Sequence, residues 1–183
     1  EPLAEFIDLF FLGEAEEGLP EIVDAIRRGR RQGLKRPALL RSLSSLAGVY
    51  IPALFTVEYR DDGSVAAITP APGVPSPVRK RIVTPLDRAF FPSCFIVPHM
   101  EIVHDRGMLE ILRGCTHGCR FCQAGMVYRP VRERSAAGLA GQMAEMVPST
   151  GFEEYSLTSL SSTDHPEIGE LFGTLMEIGR AHV

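Results

Sequence analysis

Met108-Leu-Glu-Ile-Leu-Arg-Gly-Cys115-Thr-His-Gly-Cys119-Arg-Phe-Cys122 runs a short apolar, strand-like segment directly into three closely spaced cysteines. The C-x3-C-x2-C spacing puts three thiolates on one loop and supplies no fourth, so one metal position stays open. A closed structural zinc site uses four ligands, and plant-type ferredoxin clusters use C-x4-C-x2-C with a distant fourth cysteine. Three thiolates on three irons of a [4Fe–4S] cluster would leave the fourth iron free to take a substrate or cofactor. Two other uses of the cysteines compete. His117, His104 or His99 could complete a zinc site, and any two of the four cysteines could form a disulfide. The odd, tightly spaced trio favours the cluster. Cys94 stands apart, in an apolar stretch between Pro92 and Pro98, and reads as buried and inert.

The loop resembles that of the radical S-adenosylmethionine (SAM) enzymes, in which an aromatic residue precedes the third cysteine, here Phe121. The resemblance extends to both flanks: His104-Asp105-Arg106 and Arg113-Gly114 before the loop, and Gln123-Ala-Gly-Met-Val-Tyr-Arg129-Pro-Val-Arg132-Glu-Arg134-Ser135 after it. Together they resemble the uncharacterised "B12-binding domain-containing" radical SAM family, which is laid out like the methylthiotransferases. The resemblance implies that Cys115, Cys119 and Cys122 ligate a [4Fe–4S] cluster. SAM would bind the open iron and be cleaved reductively to methionine and a 5′-deoxyadenosyl radical. The protein then serves to hold a cofactor that carries the hard chemistry. An electron donor of the flavodoxin or ferredoxin type follows as a partner. The alternatives are an iron–sulfur electron-transfer protein, which needs a fourth protein ligand, and a zinc-binding interaction module.

In the same family a cobalamin-type Rossmann domain precedes the radical SAM barrel. The fold class expected is α/β: residues 1–48 as the end of that Rossmann-like domain, 49–106 as a β-hairpin and Pro-rich connector, and 107–176 as the first βα units of a partial (β/α) barrel. A complete eight-unit barrel takes about 250 residues, so the catalytic domain is expected to be cut short. Residues 177–183, Glu-Ile-Gly-Arg-Ala-His-Val, spell what a sequencing-library adapter encodes when translated. The natural sequence is therefore expected to end near Met176. Cobalamin would be held by a histidine-bearing motif upstream of this chain.

Composition is permissive. Of 183 residues 45% are hydrophobic and the net charge is −4, an ordinary globular balance. No apolar run approaches the ~18 residues a membrane span needs. A cytoplasmic location is expected.

Phe6-Ile-Asp-Leu-Phe-Phe-Leu12 reads as a buried parallel strand, followed by a turn at Gly13–Glu17 and a helix with Pro20 in its first turn. Leu19, Ile22, Val23 and Ile26 recur at helical spacing. Arg27 to Arg36 then carries six cations. They could grip RNA phosphates, or simply complement the dipole at the helix end; no aromatic residues are interleaved for base stacking. Val49–Tyr59 and Ser64–Thr69 predict a hairpin turning at Asp61-Asp62-Gly63, and Pro70, Pro72, Pro75 and Pro77 predict a stiff linker.

The cysteine loop follows the carboxyl end of the first barrel strand, Met108–Leu112, which is the catalytic face of such barrels. Gly114, Gly118 and Gly125 are expected to let the backbone wrap the sulfurs and donate N–H groups. Arg120, Arg129, Arg132 and Arg134 crowd the loop, with Arg132 and Arg134 expected to face the cluster or the SAM carboxylate. Phe121 is expected near the adenine. Ser135 predicts an N-cap for a helix whose stripe is Leu139, Met143, Met146 and Val147. The second barrel strand, Glu154–Leu160, ends in Ser161-Ser162-Thr163-Asp164. Much of the superfamily carries a Gly-Gly-Glu-like motif here, which receives the SAM amino group. This chain departs from it, leaving Ser159, Ser161 and Ser162 as candidates, while Thr163 or Asp164 could instead cap a helix begun at Pro166. That helix would bury Ile168, Leu171, Phe172, Leu175 and Met176. His104, Asp105 and Arg106 sit just before the first barrel strand, where they either take part directly or cap a turn.

Overall fold

A computed structural model of the chain describes residues 2–100 and 102–180. Among these residues five α-helices and a set of two-stranded sheets make a mixed α/β chain, which divides into two compact units, Glu1–Val83 and Thr84–Val183.

In the first unit β1 (Phe10–Phe11) pairs antiparallel with β2 (Val49–Tyr50), Phe10 opposite Tyr50. The Phe6–Leu12 run does not form the buried parallel strand its composition predicts. Phe6 is 83% exposed, because two paired residues make no sheet face broad enough to cover the run. Helix α1 (Ala15–Arg31) starts earlier than expected and encloses Pro20. Glu16 and Glu17 in its first turn and Arg28, Arg30 and Arg31 in its last complement the dipole at both ends. Helix α2 (Arg36–Leu43) packs against α1, and Ile22, Leu43, Val49 and Ile51 form the core of the unit. The predicted hairpin is present but shorter, as β3 (Phe55–Tyr59) and β4 (Val65–Pro70) with a register shift at Glu58/Tyr59; Val49–Tyr50, expected in its first limb, pairs with β1 instead, and a 3-10 turn at Pro52–Leu54 separates the two. Asp62 Oδ1 accepts from the Ser64 N–H at 2.9 Å and fixes its turn.

Beyond the prolines the chain returns across the start of α1. Leu12 O accepts from the Arg81 N–H at 2.8 Å, and Arg81 O accepts from that of Glu14 at 3.1 Å. Gly13 lies between them at φ +114°, where a Cβ would collide with the Arg81 backbone. The Arg81 guanidinium sits 2.6 Å from Glu21 and 3.0 Å from Glu17. Its bonds to Glu21 and then Glu17 push its pKa up, and its bond to Glu21 holds that carboxyl below the usual range.

The second unit is built on β5 (Gly107–Glu110) and β8 (Tyr155–Thr158), which run parallel in the register Gly107↔Tyr155 to Glu110↔Thr158. Parallel neighbours need a crossover, and α4 (Ala136–Thr150) supplies it. Ser135 caps α4 as its sequence predicts, its Oγ accepting from the Gly138 N–H at 3.1 Å. Leu139, Met143, Met146 and Val147 are buried against Leu109, Ile111 and Leu171. Helix α5 (Ile168–Arg180) closes the unit. Leu171 and Leu175 face the core, but Phe172 and Met176 are more than half exposed, so the buried stripe is narrower than the apolar one. Of the expected adapter-derived tail, residues 177–180 continue α5 and 181–183 lie outside the described residues.

Residues 84–89 join this unit. Leu86 is buried in a 3-10 turn, Leu86–Arg88, and Asp87 Oδ1 accepts from the Ser135 N–H at 2.9 Å at the start of α4. Cys94 is exposed, contrary to the expectation from its apolar surroundings. Residues 91–96 alternate in burial, and Phe91 and Phe95 turn inward to pack edge-on with ring centroids 5.9 Å apart. Period-2 alternation then sends Cys94 and Ile96 to solvent.

Candidate metal centre

After Glu110 the chain leaves the parallel pair and passes through β6 (Leu112–Arg113), which pairs antiparallel with β7 (Arg132–Glu133). The cysteine loop is the excursion between these strands. Its base is closed further by the Arg134 N–H donating to Ile111 O at 3.0 Å. A bidentate Arg113–Glu110 pair, at 2.9 and 2.7 Å, fixes the side chains where β5 gives way to β6. Gly114 begins the excursion at φ +93°, where a Cβ would press on Tyr128 O, Pro130 O and Val131 Cα. Only a glycine fits between the two limbs of the loop.

Within the excursion Cys115 and Cys122 are partly exposed and Cys119 is exposed. The Cys122 N–H donates to Cys119 O at 3.0 Å, and the four-residue helix α3 (Ala124–Val127) follows. The His117 N–H points to Cys115 Sγ at 3.5 Å, so this N–H contact to sulfur comes from His117 and not from one of the glycines expected to make it. Gly118 does adopt a positive φ, whereas Gly125 lies in α3. Among the described residues no three Cys, His, Asp or Glu side chains are gathered closely enough to hold a metal ion. The donor set itself suits an iron–sulfur cluster: three soft thiols on one accessible loop, one of them already meeting an N–H.

The tip of β8 lies beside this loop. Ile111 N–H donates to Thr158 O at 3.1 Å, and the Thr158 hydroxyl to Leu109 O at 3.1 Å, which brings the carboxyl ends of the two parallel strands together. Past the strand, Ser159 Oγ lies 2.8 Å from Ser162 Oγ and accepts from the Ser161 N–H at 3.1 Å. His117 crosses from the cysteine loop to this tip, its Nε2 2.6 Å from Asp164 Oδ2 and 3.4 Å from Ser161 Oγ. The cysteine loop and the serines therefore meet at one end of the β5–β8 pair through His117.

Residues 1–52 match the family model described as radical SAM proteins, N-terminal. No curated protein and no solved structure matches the chain. The matched stretch stops well short of the cysteine loop, so the similarity and the loop are separate observations on one chain.

The other expected site residues are distributed more widely. Phe121 is 92% exposed. Arg134 is buried, with Nη1 donating to Leu86 O at 2.7 Å; Arg132 is buried, with Nε donating to Pro130 O at 3.0 Å. Both guanidinium groups thus serve backbone carbonyls around the base of the loop. His104, Asp105 and Arg106 precede Gly107 and so lie at the amino end of β5, opposite the cysteines. There Arg106 Nη1 reaches Ser156 Oγ at 3.3 Å. A buried His165, which carries no obvious signal in the sequence, places Nε2 2.8 Å from Arg134 O and accepts at Nδ1 from the Glu167 N–H at 3.1 Å. It ties the start of α5 to the base of the loop. Among the described residues no helix is long and apolar enough to cross a membrane.

Proposed function

We propose that this chain is part of a radical SAM enzyme in which Cys115, Cys119 and Cys122 hold a [4Fe–4S] cluster. The observation that carries the reading is the agreement of two stretches that do not overlap: residues 1–52 match an N-terminal family of radical SAM proteins, and the three-thiol loop stands at the carboxyl end of a parallel β5–α4–β8 unit. Such a cluster supplies an electron that cleaves SAM to methionine and a 5′-deoxyadenosyl radical. The protein's part is to bind and orient. The hydroxyls of Ser159, Ser161 and Ser162 take the methionine end of SAM, with Phe121 on the adenine side. Arg132 and Arg134 brace the base of the loop through the carbonyls they hold. The β5–α4–β8 unit is the beginning of the barrel, and a flavodoxin- or ferredoxin-type protein delivers the electron.

The zinc alternative loses ground because His104 lies at the far end of β5. Anaerobic reconstitution with iron and sulfide tests the reading. The expected product is a brown protein whose reduced EPR signal changes when SAM is added. A signal indifferent to SAM would favour an electron carrier, and a chain that takes zinc but no iron would favour the interaction module.

A further inference from the structure

We propose that Asp164 is a positioning residue that holds the cysteine loop to the tip of β8 through His117. The inference rests on the cluster reading above. His117 is the middle residue of the segment between Cys115 and Cys119. Its ring reaches Asp164 Oδ2 at 2.6 Å and its N–H points to Cys115 Sγ at 3.5 Å. An ionised carboxylate only accepts, so Nε2 carries the hydrogen. A helix cap would be the ordinary use of an aspartate just ahead of α5, but other groups serve that start. The Glu167 N–H donates to His165 Nδ1, the Ile168 N–H to His165 O, and the His165 N–H to Ser162 O. The hydrogen bond given to the Asp164 carboxylate is the one to His117, 47 residues away in the chain.

The consequence follows from loop entropy. Residues 114–131 are fixed at their base, where β6 meets β7. Gathering three sulfurs around a cluster restricts that whole excursion, and a loop already held at His117, between its first two cysteines, has less freedom left to lose. Partners that orient a ligand-bearing segment characteristically change metal affinity by about 10- to 100-fold when removed.

Two measurements on the chain separate the possibilities. In the apo protein, Asp164→Ala should speed amide hydrogen exchange at His117 and Cys122 about two- to fivefold, the effect of losing one charge-assisted bond between partly exposed groups. In the reconstituted protein it should speed iron loss to a chelator about tenfold. His117→Ala should reproduce both effects, and the double variant should be no worse than either single one, since the two residues act as one unit. Asp164→Asn keeps an acceptor oxygen and should restore most of the protection. Unchanged exchange and iron loss in Asp164→Ala would overturn the inference. So would additive effects in the double variant, which would place Asp164 in the turn before α5 and not on the loop. If the unaltered chain retains no iron, the cluster reading fails, while the exchange measurement still decides whether Asp164 orders the loop.

Discussion

Gly114→Ala puts the most stringent demand on the geometry of the cysteine loop. At φ +93° an alanine adopts a backbone conformation that L side chains rarely enter, at a cost of about 1–2 kcal/mol. Its Cβ would also stand 2.7 Å from Tyr128 O, 2.9 Å from Pro130 O and 3.1 Å from Val131 Cα. All three atoms are backbone, so no side chain can swing aside, and the opposite limb of the excursion must shift instead. Overpacking of this kind costs about 1–3 kcal/mol. The sum, about 2–5 kcal/mol, is a large share of the stability of an ordinary domain. With a urea slope of about 1–3 kcal/mol per molar, the unfolding midpoint should fall by about 1 M or more. Gly141→Ala is the matched control. Gly141 lies in α4 with nothing within 4 Å of a Cβ, and the change should stabilise by about 0.5–1 kcal/mol through helix propensity. Urea titrations of both variants, followed by far-UV circular dichroism, give the comparison. A Gly114→Ala midpoint equal to the wild-type value would mean that residues 128–131 do not press on the start of the loop, and the excursion described above would be wrong.

Replacing Cys115, Cys119 or Cys122 with Ala should abolish cluster binding, read as iron per chain after reconstitution, whereas Cys94→Ala should leave it intact; iron loss in the Cys94 variant would identify a fourth ligand and refute the open-iron site. Leu171→Ala, at a fully buried contact between α5 and α4, should destabilise by about 2–5 kcal/mol, and a midpoint shift smaller than that of an exposed-site control would argue against the packing of α5. The Glu21 carboxyl is depressed by Arg81, so its contribution is present above the ordinary carboxylate value of about 4.3 and is lost as pH falls through the folded value. The stability gap between wild type and Glu21→Gln should therefore close on acidification; a gap that does not narrow as pH falls below the ordinary carboxylate range would show that it does not come from this charge.

Periodic signals in the sequence were legible where an element is long and one-sided. The stripe of α4, its Ser135 cap and the turn end of the β3–β4 hairpin each follow from local patterns that tertiary packing had no reason to override, whereas Val49–Tyr50 is drawn out of the hairpin by pairing with β1. Short apolar runs misled, because hydrophobicity alone does not say which residues face inward. Phe6–Leu12 is apolar enough for a buried strand, yet its pairing partner is a two-residue strand. The stretch around Cys94 is equally apolar, and there alternation, not content, decides that Phe91 and Phe95 go in and Cys94 goes out. Phe172 and Met176 belong to the apolar stripe of α5 by spacing but fall outside the sector that α4 covers.

At the candidate site the sequence discloses donors more readily than their orientation. Three cysteines in C-x3-C-x2-C declare themselves, since no common structural need places thiols at that spacing. Arginines do not, because a guanidinium beside a cluster and one holding a carbonyl look alike in a sequence: Arg134 reaches Leu86, a residue from before β5. The same holds for Asp164, whose position ahead of a helix suggests a cap. Its role depends on the register of β8 against β5, which sets the Ser159–Asp164 turn beside a loop that begins more than forty residues earlier in the chain. A one-residue slip in that register would reverse the faces of β8 and draw Asp164 away from His117. The link between loop and strand tip is thus a property of the parallel pairing. Changes that loosen β8, such as Leu157→Gly, should speed exchange at His117 even though no atom of Leu157 belongs to the cysteine loop.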